Sequence, residues 1–251
     1  MAALNSLDLE ILPQPDDTTC GPTCLHALYR FYKDNIDLKS VIQEVHAFEG
    51  GGTLAVWLAC HALKRGYEAT IYSYNVQLFD PTWFKRDRGE MIRCLNEQLA
   101  FKKDIKLILE TRAYLEFFEL GGEVKMEDLT RDMLRKHLTQ NIPMLTGLNS
   151  NFLYRSPREL GATNSFDDIR GEPAGHFVIL CGYDKETRNI RVADPLRGNP
   201  YSNTQKYDVF IDRVICSILL GILTYDANFL IIKPKKSQSK AMVKFKAQRT
   251  L

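Results

Sequence analysis

The strongest local signal in this chain is a short segment near its amino terminus, Gln14-Pro-Asp-Asp-Thr-Thr-Cys20-Gly21-Pro22-Thr-Cys24. An apolar pattern with helical spacing follows it, which predicts that Cys20 lies at the start of a helix. Pro22 is typical of a first helical turn, and Gly21 permits a tight backbone turn beside the sulfur. The unpaired N–H groups and the positive dipole end of a helix favour the thiolate form of a cysteine. We therefore predict a nucleophilic thiol at Cys20, with the side-chain amide of Gln14 as a candidate donor to an oxyanion.

A second motif lies far downstream and supplies a candidate base. The segment that follows His176 is apolar and predicts a buried strand, and residues 189–193 predict a second strand that ends at Asp194. Two adjacent antiparallel strands bring His176 and Asp194 to the same end of a hairpin. A carboxylate in that position accepts the imidazole N–H and fixes its tautomer. His176 and Asp194 are therefore the candidate base and orienting group for Cys20.

Together these residues resemble a known family. The Gln-x5-Cys-Gly sequence, the Gly-His-Phe strand and the Asp-Pro pair that closes the next strand resemble the papain-like cysteine peptidases, most of all the double-glycine leader (bacteriocin-processing) peptidases. The Gly-His-Phe, Gly-Tyr and Asp spacing is also similar to that of phytochelatin synthase, a papain-fold γ-glutamyl-peptide transferase. The resemblance extends from Leu12 to Pro195, and the middle of the chain is longer than in a minimal leader peptidase.

The resemblance implies an α+β papain-like fold, in which a helical part packs against an antiparallel β-sheet. It also implies a catalytic set of four residues, with Cys20 as nucleophile, His176 as base, Asp194 as orienting group and Gln14 as oxyanion donor. Gly21 and Gly175, which stand next to the nucleophile and the base in the sequence, are expected to lie at the bound substrate.

The composition is that of an ordinary globular chain. Of its 251 residues, 45% are hydrophobic and 25% are charged, which is enough apolar material for a core. We assign residues 1–232 to one catalytic domain. Residues 233–251 contain seven cations and no acidic residue, and we expect them to form a flexible basic tail. The rest of the chain holds 26 basic and 31 acidic residues, so we expect no nucleic-acid partner.

The sequence also bears on the compartment and on cofactors. No apolar run approaches the roughly 20 residues of a membrane span, and the first residues lack the basic and apolar regions of a secretory signal. The six cysteines are scattered, so we expect reduced thiols and a cytoplasmic location. The histidines show no metal-ligand spacing, and we predict neither a metal site nor a cofactor. Cys24, one helical turn after Cys20, is either a core contact or a resolving thiol for an oxidised Cys20. No oligomeric state is predicted.

Two further segments are expected to border the site. Residues 149–175 are predicted as a long polar loop, which leads directly to the candidate base. Arg155 and Arg170 in this loop either bind a substrate carboxylate or form salt bridges. The Gly50–Gly52 sequence precedes a helix but lacks the Lys-Ser/Thr ending of a P-loop, so we expect a tight turn packed near the site.

Three functions are open from the sequence. The first is a cysteine hydrolase, a peptidase or amidase that cleaves a peptide or isopeptide bond through a thioester acyl-enzyme. The second is a γ-glutamyl or peptidyl transferase similar to phytochelatin synthase, in which a thiol or amine replaces water. The third is a non-catalytic peptide-binding module on the same fold, which would not need all four residues of the catalytic set. The expected partner is a peptide or a γ-glutamyl-type substrate.

Overall fold

The computed structural model describes residues 5–161, 163 and 165–235. Its helices are α1 (Cys20–Phe31), α2 (Leu38–Glu44), α3 (Ala55–Lys64), α4 (Arg88–Leu99), α5 (Ile105–Glu119), α6 (Arg131–Thr139), α7 (Ser150–Tyr154) and α8 (Ile211–Leu220), with 3₁₀ helices at Pro81–Lys85 and Gly221–Thr224. Its strands are β1 (Asn5–Ser6), β2 (Tyr67–Ser73), β3 (Glu123–Lys125), β4 (Met144–Asn149), β5 (Glu159–Leu160), β6 (Ser165–Phe166), β7 (Gly175–Tyr183), β8 (Asn189–Ala193), β9 (Lys206–Phe210) and β10 (Asn228–Pro234).

One sheet forms the centre of the molecule. Its strand order is β3-β2-β10-β4-β7-β8-β9, and β1 also pairs with β7. The pairs are antiparallel except for β2 with β3. β10, the last strand in the sequence, lies between β2 and β4, and its residues 228–232 are all buried because the sheet is covered on both faces. The expected α+β class, with helices packed against a mostly antiparallel sheet, is confirmed.

Helices cover both faces of this sheet. α1 packs on β7 and α3 on β2 and β10, and the buried side chains between them form the larger core. α6 and α8 cover the opposite face over β7 and β4 and enclose a second core. Successive side chains of β2 point to opposite faces of the sheet. Ile71 belongs to the larger core, whereas Tyr72 stacks on Phe229 in the second core, with ring centroids 4.5 Å apart.

Close packing holds the start of α1 against β7. A Cβ atom built on Gly21 would lie 2.6 Å from Cγ2 of Thr53 and 3.2 Å from the ring of Phe177, so the helix approaches this closely because glycine has no side chain. One turn later, the thiol of Cys24 donates a hydrogen bond to the carbonyl oxygen of Phe177 at 3.3 Å. Phe177 directly follows the candidate base in the sequence, so this packing fixes the nucleophile relative to the base.

The prediction of a structureless polar loop over residues 149–175 is wrong. The segment contains α7 and a hairpin of β5 and β6. The backbones of Glu159 and Glu172 also exchange two N–H to carbonyl hydrogen bonds, at 3.1 and 2.8 Å. Its polar side chains satisfy backbone groups, as where Asn149 caps α7 by accepting a hydrogen bond from the N–H of Phe152 at 2.8 Å. Polarity here reflects local capping rather than a lack of structure.

The carboxyl-terminal boundary is only partly described. β10 extends to Pro234, two residues past the domain end that the sequence indicates at residue 232. Residues 236–251, the greater part of the expected basic tail, lie outside the described residues. The flexible tail therefore stays a prediction.

Candidate active site

Cys20 is the first residue of α1 and is half-buried, so its sulfur reaches a cleft. Its N–H is one of the backbone donors in the first helical turn, which have no acceptor inside the helix. The turn before it is built around Asp16, whose carboxylate accepts hydrogen bonds from the hydroxyl and the N–H of Thr18 at 2.8 and 2.9 Å. These bonds lower the pKa of Asp16, so the turn is held by a charged acceptor. The helix thus begins at the cysteine, as the sequence predicts.

His176 and Asp194 meet at one end of the β7–β8 pair. In the strand register Ile179 lies opposite Ala193, which brings the start of β7 next to the residue that follows β8. Nε2 of His176 lies 2.8 Å from Oδ1 of Asp194, and both side chains are buried. A charged carboxylate only accepts hydrogen bonds, so Nε2 carries the proton of this bond. His176 and Asp194 therefore lie at the same end of the hairpin, as the sequence predicts.

The opposite side of the imidazole ring faces the thiol. Cys20 lies close enough to His176 to contribute to the rise in the pKa of the imidazole, and because Asp194 occupies Nε2, the nitrogen left for the sulfur is Nδ1. Burial by itself lowers the pKa of His176, but the charge and hydrogen bond of Asp194, with smaller contributions from Cys20, raise it to about 10. The imidazole is therefore held protonated at neutral pH beside the sulfur. Such a ring can stabilise a thiolate as an ion pair.

Asp194 is fully buried and accepts four hydrogen bonds. Oδ1 accepts from His176 and from the N–H of Leu196 at 2.8 Å, and Oδ2 accepts from the hydroxyls of Tyr154 and Tyr207, both at 2.5 Å. Burial raises the pKa of this carboxyl, but the charge of His176 and the hydrogen bonds outweigh burial and lower it. Burial and the charge of Asp194 raise the pKa of both tyrosines, so their hydroxyls keep their protons and donate.

The two tyrosines were missed from the sequence. Tyr154 lies in the segment predicted as a polar loop, and Tyr207 lies in β9, outside both motifs. The one signal that could have indicated Tyr207 is its place in the sheet, because it pairs with Val192, two residues before Asp194. That pairing requires the strand order of the sheet, which no local pattern supplies.

Gln14 reaches the same cleft from the loop before α1. Its backbone N–H donates to the carbonyl oxygen of Pro195 at 2.9 Å, which ties this loop to the residue after Asp194. Its Nε2 donates to the carbonyl oxygen of Asp16 at 2.8 Å, and its Oε1 is buried without a hydrogen-bond partner in the part of the chain that the structure describes. An amide nitrogen carries two hydrogens, so a second one remains for another acceptor.

Two cavities meet at the thiol and the imidazole. The thiol-side cavity, about 720 Å³, is bordered by Cys20 and by the buried carboxyl of Asp226. The imidazole-side cavity, about 600 Å³, is bordered by His176 and by Arg197. Gly175 borders both cavities, which therefore lie side by side, and the two together are called the cleft below.

The Gly50–Gly52 turn forms part of the wall of the thiol-side cavity. Gly51 has a φ of +86°, and a Cβ atom built on it would lie 2.4 Å from Cγ2 of Thr18. Glycine is required here both for the backbone angle and for the close approach. The expectation of a tight turn packed near the site is confirmed.

The structure does not place Arg155 or Arg170 in the lining of this cleft. Arg170 is exposed and pairs with Asp167 at 2.7 Å, and Arg155 is an exposed residue that ends α7 in the left-handed conformation. Because the 149–175 segment folds on itself, its own carboxylate rather than a substrate satisfies Arg170. Arg197, which lies outside both motifs, borders the cleft instead.

Gly21 and Cys24 contribute to packing. Gly21, unlike Gly175, is buried in the contact between α1 and β7 and lines neither cavity. Cys24 is fully buried, and burial, with smaller contributions from the charges of Cys20 and Asp194, raises its pKa. These features fit a core contact better than a resolving thiol.

Residues 5–161, 163 and 165–235 contain no cluster of three or more His, Cys, Asp or Glu side chains arranged to hold a metal ion. None of the helices in this part of the chain has the length and apolar character needed to cross a membrane. All six cysteines are free thiols.

A thiol at the amino end of a helix, facing an imidazole and a carboxylate carried by an antiparallel sheet, defines the papain-like class of cysteine peptidases. The sequence model of the Peptidase_C39 like family matches residues 6–213, and the chain belongs to this family. The match spans both motif segments, so the resemblance inferred from them is confirmed.

The chain is also similar to several solved structures. A C39-like peptidase from Bacillus anthracis is 13% identical, with 93% of this chain and 98% of that chain covered and a TM-score of 0.49. The peptidase domain of Streptococcus ComA, a bi-functional ABC transporter, is 14% identical, with 90% and 99% covered and a TM-score of 0.43. Xylellain, a cysteine protease from Xylella fastidiosa, is 13% identical, with 94% and 88% covered and a TM-score of 0.41. A search of curated proteins finds no match.

Proposed function

We propose that this protein is a cysteine peptidase or amidase that cleaves a peptide or isopeptide bond through a thioester acyl-enzyme. The observation that carries the proposal is the position of His176, with Nε2 bound to Asp194 at 2.8 Å and with Cys20 close enough to help raise the pKa of the imidazole. Membership of the Peptidase_C39 like family supports the same class of activity from the sequence as a whole. In this proposal Cys20 is the nucleophile, His176 the acid and base, and Asp194 the orienting group.

In the first step the thiolate of Cys20 attacks the carbonyl carbon of the substrate, and the carbonyl oxygen becomes an oxyanion. The N–H of Cys20 and the second amide hydrogen of Gln14 are the proposed donors to this oxyanion, and the positive end of α1 adds to them. The protonated His176 then gives its Nδ1 proton to the leaving nitrogen. The C–N bond breaks, the amine product departs, and the acyl group stays on the sulfur as a thioester.

In the second step the neutral His176 takes a proton from water, and the resulting hydroxide attacks the thioester. The sulfur leaves as a thiolate, the acyl product departs as a carboxylic acid, and the ion pair of Cys20 and His176 is restored. The lowered pKa of Asp194 supports its part in both steps, because the carboxylate keeps its charge and stabilises the imidazolium without taking its proton.

The shape of the cleft supports an extended peptide as the substrate. The imidazole protonates the leaving amine, so we assign the leaving part of the substrate to the imidazole-side cavity and the acyl part to the thiol-side cavity. Neighbouring cavities of about 600 and 720 Å³ that share Gly175 in their walls suit a chain that extends along both. We place this activity in the cytoplasm, which the six free thiols support.

Acyl transfer is the second candidate, and Arg197 is the observation that favours it. This guanidinium borders the imidazole-side cavity, from which the leaving amine departs in the proposed mechanism. An amine or thiol that carries a carboxylate can be held there by Arg197 and can replace water in the second step. The products would then be γ-glutamyl or peptidyl conjugates.

Product masses test these alternatives. The full chain is incubated with a defined peptide mixture and, separately, with glutathione and γ-glutamyl peptides, and Cys20→Ala is the matched control. Hydrolysis is expected to give only shorter products with one oxygen from labelled water, whereas transfer gives longer species. Products that Cys20→Ala forms as fast as the wild type would contradict both enzyme functions. Peptide binding by wild type and Cys20→Ala, with no turnover by either, would favour the binding module.

A further inference from the structure

The hydroxyl groups of Tyr154 and Tyr207 enclose one oxygen atom of Asp194. Both are 2.5 Å from Oδ2, and Asp194 has no exposed surface. A buried carboxylate is tolerated when hydrogen bonds replace the water it has lost, and donors to a charged acceptor contribute more than donors to a neutral one. The two hydroxyls therefore supply the hydrogen bonds to Oδ2, and His176 and the N–H of Leu196 supply those to Oδ1.

The two hydroxyls come from different elements and are held rigidly. Tyr154 ends α7, and Tyr207 lies in β9. The ring of Tyr207 stacks on Tyr201, with centroids 4.9 Å apart, and the hydroxyl of Tyr201 donates to the carbonyl oxygen of Leu153 at 2.6 Å. This last bond links the stacked rings to the residue before Tyr154, so the two donors keep a fixed separation.

We propose that Tyr154 and Tyr207 are positioning residues that hold Oδ2 of Asp194, direct Oδ1 to Nε2 of His176 and keep the carboxylate charged. A carboxylate can rotate about its terminal torsion and exchange its oxygens, and two donors fixed on one oxygen prevent this. The imidazole then keeps Nδ1 towards the sulfur. This inference rests on the proposed function of the site and adds two residues to it.

The groups around Asp194 determine whether loss of a tyrosine hydroxyl favours the charged or the protonated form of its carboxyl. His176 from β7, Tyr154 from α7 and Tyr207 from β9 contact its side chain, and Cys24 on α1 lies close enough for the carboxylate charge to raise the pKa of its thiol. Among the described residues, His176 supplies the opposite charge in direct contact. Loss of one hydroxyl leaves a buried lone pair unsatisfied, which favours the protonated carboxyl. The imidazolium then loses its partner at a higher pH than in the wild type.

The test measures the alkylation rate of Cys20 by iodoacetamide as a function of pH, in the full chain, by peptide mass mapping. The exposed Cys216 is the reference thiol in the same molecule. We expect Tyr154→Phe and Tyr207→Phe each to move the acid limb of the Cys20 profile up by about one pH unit, so that the rate below that limb falls about tenfold. Tyr32→Phe is the matched control, because its hydroxyl donates to the carbonyl oxygen of Ile232 and not to Asp194, and its acid limb should not move.

The outcomes separate this inference from the function on which it rests. If Cys20 reacts faster than Cys216 in the wild type but both variants keep the wild-type acid limb, the positioning role is wrong and the nucleophile stands. If Cys20 reacts no faster than Cys216 in the wild type, the proposed function fails and the inference fails with it. Should Tyr207→Phe fail to fold in a thermal melt, the half-buried Tyr154 decides the question through Tyr154→Phe alone.

Discussion

Oδ1 of Asp194 lies 2.8 Å from Nε2 of His176, although 18 positions separate the two residues in the sequence. The contact follows from the antiparallel pairing of β7 and β8, which brings the start of one strand next to the end of the other. It decides which ring nitrogen faces Cys20, and its charge is what raises the pKa of His176 against the effect of burial.

Asp194→Asn tests the charge of this contact. The amide keeps an acceptor oxygen but removes the negative charge, so the pKa of His176 falls. The ion pair with Cys20 exists only below that pKa, and the basic limb of kcat/KM is therefore expected to move to lower pH by about three units, from about 10 towards the ordinary value of 6.5. At about pH 8 the loss in kcat/KM should be at least about tenfold.

The matched control for this change is Asp208→Asn, which removes a carboxylate of β9 that pairs with Arg191. Its basic limb should coincide with that of the wild type. A basic limb that stays in place in Asp194→Asn would show that the carboxylate charge does not govern His176.

Gln14→Ala tests the proposed oxyanion donor. We expect kcat to fall by about 10²- to 10³-fold with little change in KM, because the donor acts on charge that develops in the transition state. The alkylation rate of Cys20 should stay unchanged, since alkylation forms no oxyanion. Gln43→Ala on the exposed surface of α2 is the control. A parallel fall in kcat and in alkylation would assign Gln14 to the integrity of the loop instead.

Gly21→Ala tests the packing of α1 on the sheet. The added methyl group would lie 2.6 Å from Cγ2 of Thr53, whose hydroxyl is bound to the carbonyl oxygen of His46 and cannot easily move. We expect the free energy of unfolding in urea to fall by about 1–3 kcal/mol. Gly89→Ala is matched in position, as the second residue of α4, and its nearest contact is the exposed Asp87 at 3.2 Å, so its effect should be much smaller. Equal effects of the two substitutions would contradict this account.

Asp226→Asn tests a buried carboxyl at the thiol-side cavity. Burial raises the pKa of Asp226 from 3.8 to about 7, so the folded chain holds a proton that the unfolded chain releases near pH 4. Between these two values the folded state binds more protons, and the free energy of unfolding falls as pH rises. The amide introduced by the substitution would still offer an oxygen to the N–H of Ala55, which now donates to Asp226 at 3.3 Å.

The measurement for this carboxyl is urea unfolding of both proteins from about pH 4 to pH 8. The variant should gain stability relative to the wild type by up to about 1.4 kcal/mol per pH unit across that window, and the difference should level off above it. Stability curves that run parallel over the whole range would mean that Asp226 does not titrate there.

The parts of the site that the sequence predicts correctly are those specified by local patterns. The start of α1 at Cys20 follows from a turn, a glycine, a proline and an apolar helical stripe in one segment. The hairpin that joins His176 to Asp194 follows from two short strands that are neighbours in the sequence. The contact between the helix start and the hairpin depends on the packing of α1 on β7. No local pattern predicts that packing, and it was expected only from the resemblance to a known family.

The parts that were missed lie outside the two motif segments. Tyr207 reaches Asp194 because β9 joins the edge of the sheet beside β8, and Asp226 reaches the cleft because β10 enters the sheet between β2 and β4. Of the two roles that the sequence leaves open for Arg170, the structure shows the salt bridge, to a carboxylate three residues away. Charge and polarity in a sequence do not reveal whether the partner is the chain itself or a substrate.

The most direct test of the central claim compares the alkylation of Cys20 and Cys216 at about pH 6 in the wild type and in His176→Ala. An ordinary exposed cysteine is less than about 1% thiolate at this pH. The account predicts that Cys20 reacts at least about tenfold faster than Cys216 in the wild type, that His176→Ala abolishes the difference, and that Cys216 reacts equally in both proteins. Equal rates at Cys20 and Cys216 in the wild type, or a Cys20 rate that His176→Ala leaves unchanged, would contradict it.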